Sequence, residues 1–111
     1  MMPRLNRKLV LEAPVRVADG AGGFVETWVA LGEVWAEVIA RSGRVHDGGG
    51  LPLAQTSYKV TVRSAPVGSD ARPLPQQRFR EGARVFRIET VADRDLAGAY
   101  LTCFVREEAL T

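Results

Sequence analysis

Ser57-Tyr58-Lys59-Val60-Thr61-Val62-Arg63 is the stretch that decides the fold class. Tyr58, Val60 and Val62 alternate with Ser57, Lys59, Thr61 and Arg63, and a period of two puts the first set on one face of an extended chain and the second on the other. The pattern is that of a β-strand with an apolar inner face. Downstream, residues 65–77 hold Pro66, Gly68, Ser69, Asp70, Pro73 and Pro75. Proline fixes φ and removes a ladder donor, so a loop with room for one helical turn is expected there. Arg78-Phe79-Arg80 leads into a turn at Glu81-Gly82, and in the strand over 84–91 Phe86, Ile88 and Thr90 oppose Val85, Arg87 and Glu89. After a polar reversal at Asp93-Arg94-Asp95 and Gly98, a last strand over 100–106 sets Leu101, Cys103 and Val105 against Tyr100, Thr102 and Phe104.

Upstream of Ser57 the chain is less regular. Glu33-Val34-Trp35-Ala36-Glu37-Val38-Ile39-Ala40 competes as a helix because Ala and Glu favour one, but its β-branched and aromatic residues read as a strand. Val34, Ala36 and Val38 share one face and Trp35, Glu37 and Ile39 the other; with apolar groups on both, the strand is expected to be covered on both sides. Trp35 is assigned to packing. Phe24-Val25-Glu26-Thr27-Trp28 precedes it as a separate piece across Leu31-Gly32, and the role of Trp28 stays open between core filler and interface anchor. A first strand over 7–13, with Leu9, Leu11 and Ala13 on one side, is expected to stop at Pro14. Ala18-Asp19-Gly20-Ala21-Gly22-Gly23 is then a flexible hairpin connection. Between 41 and 55 no period survives the consecutive glycines 48–50, and a loop that long in a compact domain is the segment most suited to function.

These elements describe an all-β fold, a small antiparallel β-barrel or sandwich of about five to six strands, with 1–111 as a single domain and long loops at 41–55 and 65–77. A chain of 111 residues has room for one modest core. No apolar run approaches the roughly 18 residues that span a bilayer, so no membrane partner is expected. The basic start, residues 1–8, has no apolar stretch behind it, and the chain reads as made in the cytoplasm and not exported. A formal net charge of +2 lacks the concentration of a dedicated duplex-DNA binder. Among the basic residues only Lys8 and Lys59 are lysines; arginine suits planar contacts at subunit interfaces, and a GC-rich genome would produce the same bias.

Catalysis has little to stand on. His46 and Cys103 are the only histidine and cysteine; one sits in a glycine-rich loop without rigid support, the other in an alternating strand where cysteine acts as a small hydrophobe. No catalytic residue, metal site or cofactor is expected. The glycine runs at 20–23 and 48–50 lack the following helix and the lysine-hydroxyl pair of a phosphate loop. Arg78, Arg80, Arg84 and Arg87 form a basic cluster that fits a solvated face, an acidic neighbouring subunit, or passing nucleic acid. Leu51-Pro52-Leu53, if exposed, would offer a small apolar contact to a neighbour or a closed gate.

Several segments, in order along nearly the whole chain, resemble the phage head-tail joining family, small β-rich neck proteins also called head-closure or stopper proteins. Leu5-Asn6-Arg7-Lys8-Leu9-Val10-Leu11-Glu12 is similar to the family's opening strand, with Lys8-Leu9 where the family often has Arg-Ile. Asp19-Gly20-Ala21-Gly22-Gly23-Phe24-Val25-Glu26-Thr27-Trp28 looks like its glycine turn and strand, and Glu33-Val34-Trp35-Ala36-Glu37-Val38 is followed by Ser42-Gly43 at the start of a variable loop. Tyr58-Lys59-Val60-Thr61-Val62-Arg63 and Gly82-Ala83-Arg84-Val85-Phe86-Arg87-Ile88-Glu89-Thr90-Val91-Ala92-Asp93 complete the series. Gly48-Gly49-Gly50 and residues 65–75 are longer and looser than the common pattern.

The resemblance implies a structural, non-enzymatic connector in the neck of a phage, prophage-derived or gene transfer agent particle. Its implied partners are further copies of itself in a six- or twelve-fold ring, a portal or adaptor ring, a tail terminator or tail tube, and packaged double-stranded DNA. The expected gating segment is Arg41-Ser42-Gly43-Arg44-Val45-His46-Asp47-Gly48-Gly49-Gly50-Leu51-Pro52-Leu53, projecting into the ring channel. Arg78, Arg80, Arg84, Arg87 and Trp28 are the expected interface or DNA-proximal residues. Two alternatives remain at this point: a tail terminator or other neck protein of similar fold, and a small nucleic-acid-binding barrel in which aromatic and basic groups share a face.

Overall fold

The computed structural model describes residues 2–41 and 56–108. They contain six strands, β1 (Arg7–Ala18), β2 (Phe24–Ala40), β3 (Ser57–Arg63), β4 (Arg78–Glu81), β5 (Arg84–Asp93) and β6 (Tyr100–Glu108). All neighbours are antiparallel, and the order β1-β2-β3-β6-β5-β4 closes into a barrel. Closure pairs every strand on both sides and so removes the open edges of a free sheet.

The core follows the alternation. Leu9 and Leu11 of β1, Ala36 of β2, Val60 and Val62 of β3, Phe79 of β4, Phe86 and Ile88 of β5, and Leu101, Cys103 and Val105 of β6 are all buried and form one cluster. Tyr58 meets the edge of the Phe86 ring with centroids 5.4 Å apart. Gly82 takes a φ of 58° at the start of the two-residue turn joining β4 and β5, the conformation a tight hairpin with glycine in first place requires.

Four sequence expectations are corrected. β1 does not stop at Pro14: it runs on to Ala18, with Pro14 opposite Trp28. Beyond Glu12 β1 has, among the described residues, only β2 beside it, and on a strand with one free side a residue lacking an N–H is tolerated. β2 is likewise one strand, not two pieces. The register passes from Leu11↔Gly32 to Glu12↔Ala30, so Leu31 is an extra residue, and Gly32 with φ 154° absorbs this bulge without ending the strand.

The third correction concerns the faces of β2. Val34 and Val38 pack against the core, but Trp35 is 55% exposed and Ile39 is exposed beside it. Trp35 is therefore a surface residue in the subunit, with the Lys8 ammonium 5.9 Å from its ring centre. Fourth, Thr90 does not join Phe86 and Ile88. A register shift between Ile88 and Thr90 makes Glu89 the extra residue, and Val91 turns to the core instead while Thr90 faces solvent.

The 65–77 segment has no helix. It is a series of turns, with Ser69 N donating to Pro66 O, Arg72 N to Ser69 O and Gln77 N to Leu74 O. Pro73 is fully buried, Gln76 N donates to Ile88 O and Ile88 N donates to Gln77 O, so the segment is tied to β5 of the barrel. Replacing Phe86 by Ala, which removes a fully buried ring and its contact with Tyr58, is expected to cost about 3–5 kcal/mol; the fall in the urea unfolding midpoint measures it.

Candidate functional site

Antiparallel pairing sets Arg78 of β4 directly opposite Glu12 of β1 on one side and Arg87 of β5 on the other, with Arg106 of β6 opposite Arg87. Like charges facing one another across strands repel. The arrangement holds because each has a counter-charge: Arg78 donates to Glu12 Oε1 at 2.7 Å, Arg87 to Glu108 Oε1 at 3.1 Å, and Arg106 pairs with Glu89 at 3.4 Å. Arg80 donates to the other oxygen of Glu12 at 2.9 Å. The Arg78 guanidinium lies 4.1 Å from the Trp28 ring centre and that of Arg87 5.3 Å away, so Trp28 serves as a stacking plate for this outer row.

Arg84 is elsewhere. It shares the parity of Phe86 and lies half-exposed against the Phe86 and Tyr58 rings, at the end where β3 begins and β6 finishes. There Arg7 of β1, Glu81 of β4, Arg84 of β5, Glu107 of β6 and Tyr58 of β3 meet. Arg7 pairs with Glu81. Arg84 grips Glu107 through two donors at 2.8 and 3.1 Å and also donates to the Tyr58 hydroxyl at 3.2 Å, which itself donates to Glu107. Side chains from five strands thus plug one mouth of the barrel with paired charge. Of the residues singled out from sequence, the structure gathers Arg78, Arg80, Arg87 and Trp28 and separates Arg84 from them. Arg41 lies over the Phe104 ring at 4.8 Å, while the rest of the expected gating segment, residues 42–53, lies outside the described residues.

The electrostatics follow from these pairings. Burial pushes the Glu12 carboxyl up, but the hydrogen bonds from Arg80 and Arg78 outweigh it and leave the group below its ordinary value. Glu81 is held low by Arg7, and Glu107 by Arg84. Asp19 is lowered by the backbone N–H groups of Ala21 and Gly23. Burial pushes the Cys103 thiol up to about 12, which makes it a poor nucleophile. Among the described residues no group of three or more His, Cys, Asp or Glu side chains is placed to hold a metal ion.

Sequence reasoning missed a second feature. The β1–β2 ribbon projects past the barrel from Ala13↔Val29 to Ala18↔Phe24, with β2 as the only neighbour of β1 among the described residues. One face of this arm carries Ala13, Val15, Val17, Val25, Thr27 and Val29. It continues the face on which Leu9 and Leu11 line the core, yet its four valines are 40% to 51% exposed. At its tip Asp19 accepts hydrogen bonds from Ala21 N and Gly23 N, which orders the glycine turn.

The model of the phage head completion proteins matches residues 1–108. The chain belongs to that family. Among solved structures, this family member is similar to a chain in the virion of a native gene transfer agent particle, with 59% identity, coverage of 99% of this chain and 100% of that one, and a TM-score of 0.84. The fold is shared with a protein of Shigella flexneri 2a known from its solution structure, at 23% identity, 99% and 98% coverage, and a TM-score of 0.69. No match is found among curated proteins.

Because Glu12, Glu81 and Glu107 are all held low in the folded state, they contribute stability that is present above the ordinary carboxylate range and lost as pH falls through their folded values. The melting temperature is expected to be flat down to roughly pH 5 and to drop below about pH 4.3. Glu12→Gln is expected to cost about 1–3 kcal/mol at neutral pH and to shrink that acid-dependent drop, both read from thermal melts across pH.

Proposed function

We propose that this chain is a non-enzymatic connector subunit that forms a six- or twelve-fold ring between the portal or adaptor and the tail of a phage or gene transfer agent particle. There it helps retain packaged double-stranded DNA and offers the tail terminator or tail tube a docking surface, which puts it at the particle neck. The family and the 59% identical chain from a gene transfer agent virion support this reading. The observation that carries it is the contrast between a closed barrel, every strand paired, and apolar side chains left uncovered on the projecting arm and on the outer face of β2. Such a molecule is a rigid frame with surface set aside for neighbours. Arg78, Arg80 and Arg87 around Trp28 suit an interface better than a free anion site, because Glu12, shared by the first two, and Glu108 already offset most of their charge.

Within the ring, residues 41–53 are proposed to reach into the channel and oppose DNA exit until a tail binds. Both ends of the segment are anchored at one end of the barrel: Arg41 N donates to Ser57 O at 2.9 Å, and Glu107 N to Thr56 O at 2.9 Å. Repeating a weak barrier around a ring multiplies its effect.

A second reading, a polyanion-binding barrel, draws on the outer face of β2, β3 and β6. There Lys8, Arg63 and Arg41 lie over Trp35, Tyr100 and Phe104. Salt-dependent oligonucleotide binding by the free monomer would favour it.

Particles from a strain lacking the gene are expected to be filled or leaking heads beside free tails in negative stain; normally joined particles would overturn the connector reading. Deleting residues 48–53 is expected to leave the melting temperature unchanged, since the anchored ends stay within easy reach, and to release DNA from otherwise assembled particles. Filled particles after this deletion would remove the gate.

A further inference from the structure

We propose that in the ring the apolar face of the β1–β2 arm lies against the outer face of β2, around Trp35 and Ile39, of the next copy of this chain. The inference rests on the connector reading and names the surfaces that join its subunits.

Among the described residues nothing covers the apolar face of the arm. Val15, Val17, Val25 and Val29 occupy the face that inside the barrel is core, and all four are exposed beyond the point where β4 stops pairing with β1. Trp35 and Ile39 are exposed on the opposite face of the same strand, since Val34, Ala36 and Val38 take the inner positions. Around them stand Lys8, Glu33, Glu37 and Lys59: Lys8 pairs with Glu33 at 3.7 Å, Glu37 accepts from Arg4 N at 2.9 Å, and Lys59 is opposite Ile39. A tryptophan and an isoleucine inside a polar rim have the composition of an interface core, and tryptophan is a frequent anchor of such contacts.

Two apolar surfaces on opposite faces of one strand select the geometry. If two arms met face to face, their valines would be covered but Trp35 and Ile39 would stay exposed on both copies. If the arm of one copy covers the outer β2 face of the next, a single type of contact covers both surfaces on every copy. That contact is head-to-tail, the kind that builds a ring when the rotation from one copy to the next closes, whereas a face-to-face contact stops at a pair. The paired arm is about 20 Å long and two strands, about 10 Å, wide. Its footprint therefore falls well short of the roughly 800 Å² per partner typical of stable two-body complexes. The free subunit is accordingly a monomer at ordinary concentrations, and the contacts form where a partner ring gathers the copies.

Cross-linking reads this directly, because the native Cys103 is buried and does not compete. Val25→Cys, Ile39→Cys and the double variant are assembled into particles and treated with a short bis-maleimide. The double variant is expected to give a ladder of dimers, trimers and higher bands, and a mixture of the two single variants a dimer only. A dimer from Val25→Cys alone, or an incorporated double variant that stays monomeric, overturns the proposal. If the parent chain itself is absent from particles, the connector reading fails, and the inference with it. As a second measurement, Val17→Asp with Val25→Asp is expected to keep the parental melting temperature, the arm being outside the core, while incorporation falls at least tenfold; unchanged incorporation would also overturn the proposal.

Discussion

The barrel closes across a very short seam. β1 meets β4 only at Val10↔Arg80, Leu11↔Phe79 and Glu12↔Arg78. Phe79 secures the inner side, buried beside Leu11 and Phe86, and Glu12 secures the outer side by holding Arg78 and Arg80 with its two oxygens. Without this seam the ribbon of β4 and β5 would be an open edge and the core would lose one wall. A nearly buried carboxylate is costly in itself, and only partners that are themselves fixed by stacking on Trp28 and by the strand register make it favourable here. Where the seam ends the arm begins, because beyond Glu12 no strand of the described residues lies on that side of β1. Closure and projection are consequences of the same short β4.

That arrangement explains what the sequence could and could not convey. Alternation in 57–63 and 101–105 is uninterrupted, and there the inner faces were legible residue by residue. In β2 and β5 an extra residue, Leu31 or Glu89, reverses the parity of everything beyond it. A period-two reading cannot detect that without the partner strand. Pro14 signals a strand end in any local reading; only the knowledge that β1 has a free side at that point makes it acceptable. Valines 15, 17, 25 and 29 share one exposed face only because β1 runs on past Pro14 and Leu31 shifts the register of β2, and both are properties of the topology.

The candidate site divides along the same line. The arginines could be seen as a cluster because they recur at short spacing in 78–87. Their partners could not, since Glu12 is 66 residues from Arg78 and Glu107 is 23 from Arg84. A basic cluster without its carboxylates looks like an anion site, and with them it is an ion-paired part of the frame. The tryptophans follow the same rule: Trp28, whose role the sequence left open, stacks under Arg78 and Arg87, and Trp35, assigned to packing, stands exposed on the outer face of β2 with Lys8 near its ring.

An ion-paired, closed barrel also bears on how such a subunit would assemble. On the connector reading, the charge paired within the frame at Glu12, Glu81 and Glu107 is not available to steer a partner, and orientation comes from short-range apolar contact on the arm and on β2. Contact of that kind is weak for one pair of copies and additive around a ring, and a contact that forms only when copies are already gathered cannot produce stray rings or filaments in free solution. On the proposed reading, the exposed valines escape the usual penalty of an uncovered apolar face because their area is too small for two free subunits to hold together. An arm with a larger or more aromatic face would bind more tightly, and in doing so would give up the dependence of assembly on the partner ring.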